Sequence, residues 1–356
     1  MPLTHQADAR KSGTVSRRPS LARRGGDIAP VQSSVDDRSP SVTTFMRREL
    51  LTLRADMPVI AAIDRLLHAN VSGAPVVDAD GCYLGVLSEK ASMNALSHFI
   101  AESGDRRGER SLVRDFMTRQ LWTIAPTVEV FDAIETLLRR HISGAPVLDH
   151  RNRYLGVFSE KTAMRALVSA LYEWIPGAAV DQYVNTDLRR IIDDQDSLEA
   201  ISHKFQTTPY RRLPIVRDGQ LLGQVSRRDV LRAQHRLVRE LSGVAAEQKS
   251  WQQKFGDDLL VGRWMDTDAM VASPSTDMLA IAQMFLQSPY RRLPVIESVS
   301  WANDRCPIGG RLVGQVSRRD LLEAAVTTLR PQPQKRIAET LYLSGDDARR
   351  RPNFAK

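Results

Sequence analysis

The stretch Thr208–Leu231, TPYRRLPIVRDGQLLGQVSRRDVL, occurs again with few changes eighty positions later. The second copy reads SPYRRLPVIE and, after an insertion, RLVGQVSRRDLL, which ends at Leu322. In each copy an apolar run begins at a proline, and a glycine lies three residues before a serine. The runs PIV and LLGQV, separated by RDGQ, predict a β-hairpin, and the serine predicts the N-cap of a following helix.

Two earlier copies of the same unit complete a set of four. Met46–Leu96 aligns without a gap with Met117–Leu167 at an offset of 71, and about half of the positions are identical. The landmarks recur in all four copies as the prolines Pro75, Pro146, Pro214 and Pro294 and the glycines Gly85, Gly156, Gly223 and Gly314. Repetition at this period indicates tandem supersecondary units.

An amphipathic helix is predicted before each proline, because apolar residues recur there at a spacing of three to four. In the first copy these residues are Val59, Ile63, Leu66 and Leu67. Each unit therefore reads strand, helix, strand, strand, helix. One unit is too small to bury both helix faces and a three-stranded sheet, so the units should pair. We predict an α+β fold of four β-α-β-β-α repeats.

The predicted repeats occupy residues 43–100, 112–172, 180–240 and 260–328, between disordered basic tails at 1–42 and 330–356. Residues 1–40 hold seven basic and four acidic residues, and residues 330–356 hold seven and three. The tails thus carry +7 of the net charge of +8, and the body is nearly neutral. Such a distribution is typical of solvated tails and argues against a nucleic-acid-binding surface.

Several classes of protein are excluded by what the sequence lacks. It has no apolar run near the ~18 residues that span a membrane, and it has no apolar secretory signal. Two cysteines, Cys82 and Cys306, are too few for a disulfide framework or a cysteine-rich zinc site, and no other metal-ligand spacing occurs. Phosphate loops and nucleophile elbows are absent too. We predict a cytoplasmic, non-catalytic protein.

The repeats resemble the CBS (cystathionine-β-synthase) domain family over about residues 43–328. The resemblance lies in the apolar helix followed by x-x-P-V-V-D and, later, G-x-h-S-x-x-D. It implies that CBS repeats pair into Bateman modules, whose clefts bind adenosine-containing ligands. Here it implies two modules, made by repeats one with two and three with four.

The resemblance also assigns roles to two matching sets of residues. In nucleotide-binding members, the serine at the helix start and the basic residues before the proline contact phosphate, and the aspartate contacts ribose. The matching residues are Arg211, Arg212, Ser226 and Asp229 in the third repeat, and Arg291, Arg292, Ser317 and Asp320 in the fourth. Guanidinium groups and a helix N-terminus both suit phosphate. The structural alternative is that the serines and aspartates only cap helices and the arginines are solvated.

The first two repeats depart from this pattern. Ala91 and Thr162 stand in place of the aspartate, and Gly73 and Gly144 stand in place of the second arginine. Adenosine binding is therefore doubtful there, and we predict a structural or dimerising role for the first pair.

These features predict a regulatory sensor that binds ATP, ADP or AMP at the second pair of repeats and uses no catalytic cofactor. We expect a homodimer that transmits the bound state to an unidentified effector protein. The alternative is a CBS scaffold or dimerisation protein that works without a ligand. The duplicated arginines and aspartates favour the sensor, because a scaffold would not need them.

Overall fold

The computed structural model describes residues 39–173, 178–242, 245–298 and 310–329. Residues 1–38 of the predicted N-terminal tail, the predicted tail 330–356, most of the insertion in the fourth repeat, and Cys306 lie outside the described residues. Cys82, in the first repeat, is disulfide-bonded.

Each repeat consists of a helix, an antiparallel hairpin and a second helix. The elements are α1 Val59–His68, β1 Gly73–Val77, β2 Tyr83–Ser88 and α2 Glu89–Ser103; α3 Arg107–Arg110, α4 Val113–Phe116, α5 Val130–Arg139, β3 Gly144–Leu148, β4 Tyr154–Ser159 and α6 Glu160–Glu173; α7 Leu198–Thr207, β5 Arg212–Arg217, β6 Gln220–Ser226, α8 Arg227–Ser242 and α9 Ala245–Phe255; and α10 Met278–Gln287, β7 Arg292–Ser298, β8 Gly310–Ser317 and α11 Arg318–Leu329. Short 3-10 turns lie at Val42–Thr44, Val180–Tyr183, Leu188–Arg190, Gly256–Leu259 and Val261–Arg263.

Local sequence signals account for these boundaries. The serine that ends each hairpin caps the next helix, and in the first repeat Ser88 Oγ accepts a hydrogen bond from the Ala91 amide at 3.2 Å. The turn between β5 and β6 places Asp218 and Gly219 at φ of 51° and 78°, as a two-residue hairpin turn requires. The predicted first strand of each repeat is shorter than expected: it is a single parallel bridge to the proline strand, such as Leu53 to Val76.

The apolar side chains form two cores, and each core is shared by two repeats. One combines the first repeat with the third and includes Phe99 and Phe205. The other combines the second with the fourth and includes Phe158 and Phe285. The expectation that neighbours in the chain would pair, one with two and three with four, is therefore wrong.

The contact between α2 and α8 shows why chain order does not decide the pairing. Ser97 on α2 accepts hydrogen bonds from the side-chain amides of Gln206 and Gln234, each at 2.7 Å. At the equivalent position the second repeat has Val168, which has no polar atom in its side chain. A buried amide left without its partner is costly, so the third repeat fits the first better than it fits the second.

A second set of contacts joins the repeats the other way round. Each repeat is preceded by a lead segment, which we define as residues 41–58, 112–129, 179–197 and 260–277. The first and fourth repeats exchange leads, and so do the second and third, through the bridges Arg47–Gln315, Val86–Asp266, Thr118–Gln224 and Val157–Asn185. Cores and leads together close the four repeats into a ring.

The recurring glycines explain how the leads can lie so close to the hairpins. A Cβ atom on Gly223 would lie 2.9 Å from the carbonyl oxygen of Thr118, and one on Gly314 would lie 3.0 Å from that of Arg47. Larger residues would push the leads away from the sheets.

The folded part begins earlier than predicted. Val42, at the end of the predicted tail 1–42, is fully buried, and its amide donates a hydrogen bond to the Thr276 carbonyl at 2.8 Å. The first lead therefore packs against the fourth repeat from its first residues.

Candidate functional site

A cavity of about 670 Å³ lies where the four repeats meet, and residues from all four line it. The predicted site residues that face it are Arg211, Arg212, Ser226, Asp229, Arg291, Arg292 and Ser317. Asp320 is not among the residues lining this cavity and is only 5% exposed. The expected cleft between repeats three and four is thus a central cavity that the first two repeats also share.

Strand register brings the paired arginines next to the capping serines. Arg212 is the cross-strand partner of Ser226, and Arg292 is that of Ser317. The carbonyl of Arg211 accepts a hydrogen bond from the Arg227 amide at 3.1 Å, which ties the arginine pair to the start of α8. The two motifs of the opening stretch therefore meet because they face each other across one hairpin.

The four arginines differ in their partners. Arg212 donates to Ser143 Oγ at 2.9 and 3.3 Å, Arg211 to the Pro289 carbonyl at 3.0 Å, and Arg292 to Gln315 Oε1 at 3.3 Å. Arg291 alone among them hydrogen-bonds to a carboxylate of the described chain, that of Glu160, through three contacts of 2.8–3.1 Å.

The arginine side chains concentrate positive charge in the cavity. Burial, followed by repulsion from Arg291, Arg227 and Arg318, holds the pKa of Arg211 well below its usual value. Burial and Arg291 likewise lower the pKa of Arg212 and of Arg292. For Arg291 burial acts in the same direction, but Glu160 and Glu89 outweigh it and raise the pKa. A bound anion would relieve this repulsion.

Two further arginines stabilise the fold beneath the cavity. Arg227 donates to the carbonyls of Phe205 and Thr208, and Arg318 donates to those of Phe285 and Ser288. Burial lowers the pKa of each to about 10. Because these groups are tied to the ends of α7 and α10, they fix the helices against the hairpins.

The serine and aspartate of each motif form the reciprocal cap that the structural alternative describes. Asp229 Oδ2 accepts hydrogen bonds from the amide and Oγ of Ser226 at 2.8 and 2.7 Å. Asp320 Oδ2 does the same with Ser317 at 2.8 and 2.6 Å. Capping uses one carboxylate oxygen in each motif, so the second oxygen decides whether a ligand can also bind.

Sequence reasoning missed several residues that line the cavity. Glu89 and Glu160 begin α2 and α6; Glu160 pairs with Arg291, and Glu89 pairs with Arg228 at 2.9 Å. Trp122, 54% exposed, lies on the second lead, and the Arg140 guanidinium covers its ring at 3.7 Å. The signal for the two glutamates was a charge reversal, since Arg227 and Arg318 occupy the same place in the other repeats.

A smaller pocket of about 280 Å³ lies at the start of α6. Lys161, Thr162, Arg165 and Arg190 contribute to it, together with Arg211, Arg212 and Arg291. Burial and then the charges of Arg318 and Arg165 lower the pKa of Lys161. Positive charge thus extends into the second repeat, although that repeat lacks the arginine pair.

Metal sites and membrane-spanning helices are absent from the described ranges. No group of three or more His, Cys, Asp or Glu side chains there could hold a metal ion. The helices in those ranges include none with the length and apolar character to cross a membrane.

Comparison with known proteins agrees with this architecture. The family model for the CBS domain matches residues 42–91, 113–169, 180–236 and 261–327, one match for each repeat. This chain belongs to the CBS domain family. Its relatives include the uncharacterized protein MJ1225 of Methanocaldococcus jannaschii, which is 22% identical over 297 residues, covering 79% of this chain and 92% of the relative.

Other CBS-domain proteins have been solved with adenine-containing ligands. CBSX2, a chloroplastic CBS-domain protein of Arabidopsis thaliana, is 28% identical over 248 residues, covering 60% of this chain and 98% of the relative. Its structure in complex with AMP covers 36% of this chain and 99% of that chain at 31% identity, with a TM-score of 0.32. A structure of CbpB with c-di-AMP covers 41% of this chain and 98% of that chain at 19% identity, with a TM-score of 0.34.

Proposed function

We propose that this CBS-domain protein is a non-catalytic sensor that binds AMP, ADP or ATP in the central cavity. The observation that carries the proposal is the convergence of Arg211, Arg212, Arg291 and Arg292 on one cavity, with one carboxylate hydrogen-bonded to them in the described chain. Guanidinium groups form strong paired hydrogen bonds with phosphate, and a cavity of about 670 Å³ is within the usual range for a small-molecule site.

An adenosine moiety is favoured by the chemistry at the helix starts and by the relatives. We propose that Ser226 and Ser317 contact phosphate and that the ribose acceptor of the site is one of the two matching aspartates, Asp229 or Asp320. CBSX2 has been solved with AMP and CbpB with c-di-AMP, and both ligands contain adenosine.

Signal transmission would follow from competition for Arg291. This arginine pairs with Glu160, which links the fourth repeat to the second. A phosphate that binds Arg291 weakens that link and so favours another packing of the repeats. A ligand can shift such an equilibrium only by its difference in affinity for the two packings. The effector protein, the homodimer and the cytoplasmic location stay predictions.

Calorimetry of the full chain with AMP, ADP and ATP tests the proposal. Asp229→Ala/Asp320→Ala should weaken all three nucleotides, whereas Thr162→Ala, at the equivalent position of the second repeat, should not. Arg212→Ala and Arg292→Ala should weaken ATP about tenfold or more, because a hydrogen bond to a charged group contributes about 1.5–3 kcal/mol. Adenosine should be nearly unaffected by these two variants.

Arg217→Ala provides the matched control for lost charge, since Arg217 lies on the same strand β5 and pairs with Asp194 on the surface. If no nucleotide binds the wild-type chain, the scaffold alternative replaces the sensor. If adenosine and ATP weaken equally in Arg212→Ala and Arg292→Ala, those arginines serve the fold rather than the ligand.

A further inference from the structure

The cavity contains two related places where a nucleoside could bind, and we call each a seat. Seat A consists of the Ser226–Asp229 cap and the second lead, whose Thr118 pairs with Gln224 of β6. Seat B consists of the Ser317–Asp320 cap and the first lead, whose Arg47 pairs with Gln315 of β8. Position 47 corresponds to position 118 at the offset of 71, so the leads enter the two seats in the same way.

Seat B is closed by an ion pair. Arg47 Nε donates a hydrogen bond of 2.8 Å to Asp320 Oδ1, while Ser317 occupies Oδ2. Both carboxylate oxygens of Asp320 are therefore engaged, and its side chain is only 6% exposed. Three of the about four acceptor positions of the Asp320 carboxylate are used, and the group is buried behind the Arg47 contact, so a ribose must displace Arg47 to reach it.

Seat A is open at the same point. Asp229 Oδ2 is used by Ser226, but Oδ1 accepts no hydrogen bond from any of the residues in the described ranges. Thr118 occupies the place of Arg47 and has no charge with which to pair. Asp229 also lines the cavity, whereas Asp320 is not among its lining residues.

A second difference between the leads favours the same seat. Four residues after Thr118 lies Trp122, and four residues after Arg47 lies Leu51; both line the cavity. An indole offers a base a flat stacking surface that leucine lacks, since base stacking on aromatic side chains is a general feature of nucleotide recognition. The lead that pairs with β6 thus also carries an aromatic ring that lines the cavity, and the Arg140 guanidinium covers this ring at 3.7 Å.

We infer that the cavity seats one nucleoside per chain, with its ribose at Asp229, and that Arg47 excludes a second nucleoside from Asp320. This inference rests on the proposed nucleotide binding. It adds that two nearly identical motifs are unequal and that Arg47 of the first lead sets the stoichiometry. Phosphate groups of the one ligand remain free to contact the arginines of both repeats.

Exchanging the residues at positions 47 and 118 tests the inference. Calorimetry of the full chain with ADP should give one site per chain for the wild type. Arg47→Thr should give two sites, and Thr118→Arg should weaken ADP tenfold or more. Asp229→Asn should lose most of the affinity, whereas Asp320→Asn should stay within about threefold of the wild type. Arg48→Thr, the neighbouring basic residue, should behave as the wild type does.

The outcomes distinguish this inference from the proposed function. Two equal sites in the wild type, or one site in Arg47→Thr, would overturn the inference and leave nucleotide binding intact. Loss of binding in Asp320→Asn but not in Asp229→Asn would overturn it as well. No ADP binding by the wild type would overturn both. Circular dichroism and urea unfolding of each variant distinguish loss of a binding site from unfolding of the protein.

Discussion

Replacing Glu160 with glutamine separates the contribution of charge to the fold from its contribution to ligand binding. Arg291 donates three hydrogen bonds of 2.8–3.1 Å to Glu160, and the exposed fractions of the two side chains are 24% and 4%. Glutamine keeps one acceptor oxygen but removes the charge. Breaking a buried ion pair costs about 3–5 kcal/mol. Because Arg291 is partly exposed and one acceptor remains, we expect the free energy of unfolding to fall by about 2 kcal/mol.

The same change should strengthen phosphate binding. Removing a carboxylate near the arginines leaves the cavity one unit more positive. For a phosphate charge about 6 Å away at an effective dielectric constant of about 40, this contributes about 1.4 kcal/mol. That free energy corresponds to a tenfold change in an equilibrium constant, so ATP should bind about tenfold tighter.

Urea unfolding without ligand and calorimetry with ATP measure the two effects. Glu89→Gln is the matched control, because Glu89 lies at the equivalent position of the first repeat but pairs with Arg228 instead. In Glu89→Gln the free energy of unfolding should fall by a similar amount, but the affinity for ATP should rise less than in Glu160→Gln. Weaker or unchanged ATP binding by Glu160→Gln would refute the idea that the carboxylate and the ligand compete for Arg291.

Two further predictions concern an aromatic and a histidine side chain. In Trp122→Leu, which introduces the residue found at the equivalent position 51, AMP should bind about 5- to 150-fold weaker by calorimetry, because stacking of a base contributes about 1–3 kcal/mol. Ribose 5-phosphate should bind this variant as it binds the wild type, and equal losses for both compounds would contradict a stacking role. Burial lowers the pKa of His235 despite the opposing charge of Asp64, so the unfolded chain, with a pKa near 6.5, takes up the proton first. The free energy of unfolding should therefore fall as the pH drops from 7.5 to 5.5. Urea unfolding should show a weaker pH dependence of this free energy in His235→Gln. The control variant His203→Gln, which alters an exposed histidine, should keep the pH dependence of the wild type. An unchanged slope in His235→Gln would show that other groups cause the dependence.

The hairpins, the helix caps and the position of the arginines beside the serines could be predicted from the sequence. These features are local: a serine caps the helix that follows it, and the two-residue turn together with the bulge between Ile215 and Val216 sets the register that places Arg212 opposite Ser226. Because the same motif recurs in the fourth repeat, the same arrangement could be predicted there.

The pairing of the repeats could not be predicted, because it depends on contacts between residues far apart in the chain. Whether α2 packs on α8 depends on Ser97 meeting Gln206 and Gln234, and no local pattern marks that complementarity. The ion pair of Arg47 with Asp320 also spans 273 positions. Its trace in the sequence is one of many differences between the first two repeats, a threonine at position 118 where the first repeat has Arg47.

The exchange of leads has a consequence for how the chain is made. Arg47 emerges from the ribosome 273 residues before Asp320, and at about 5–20 residues per second this delay is roughly 15–55 s. During that time the earliest segment has no surface on which to dock, and the glycine-lined hairpin of the first repeat stays uncovered. Assembly must therefore wait for the last repeat. The yield of folded protein should then depend on the rate of translation and on chaperones more strongly than it would if each small repeat folded alone.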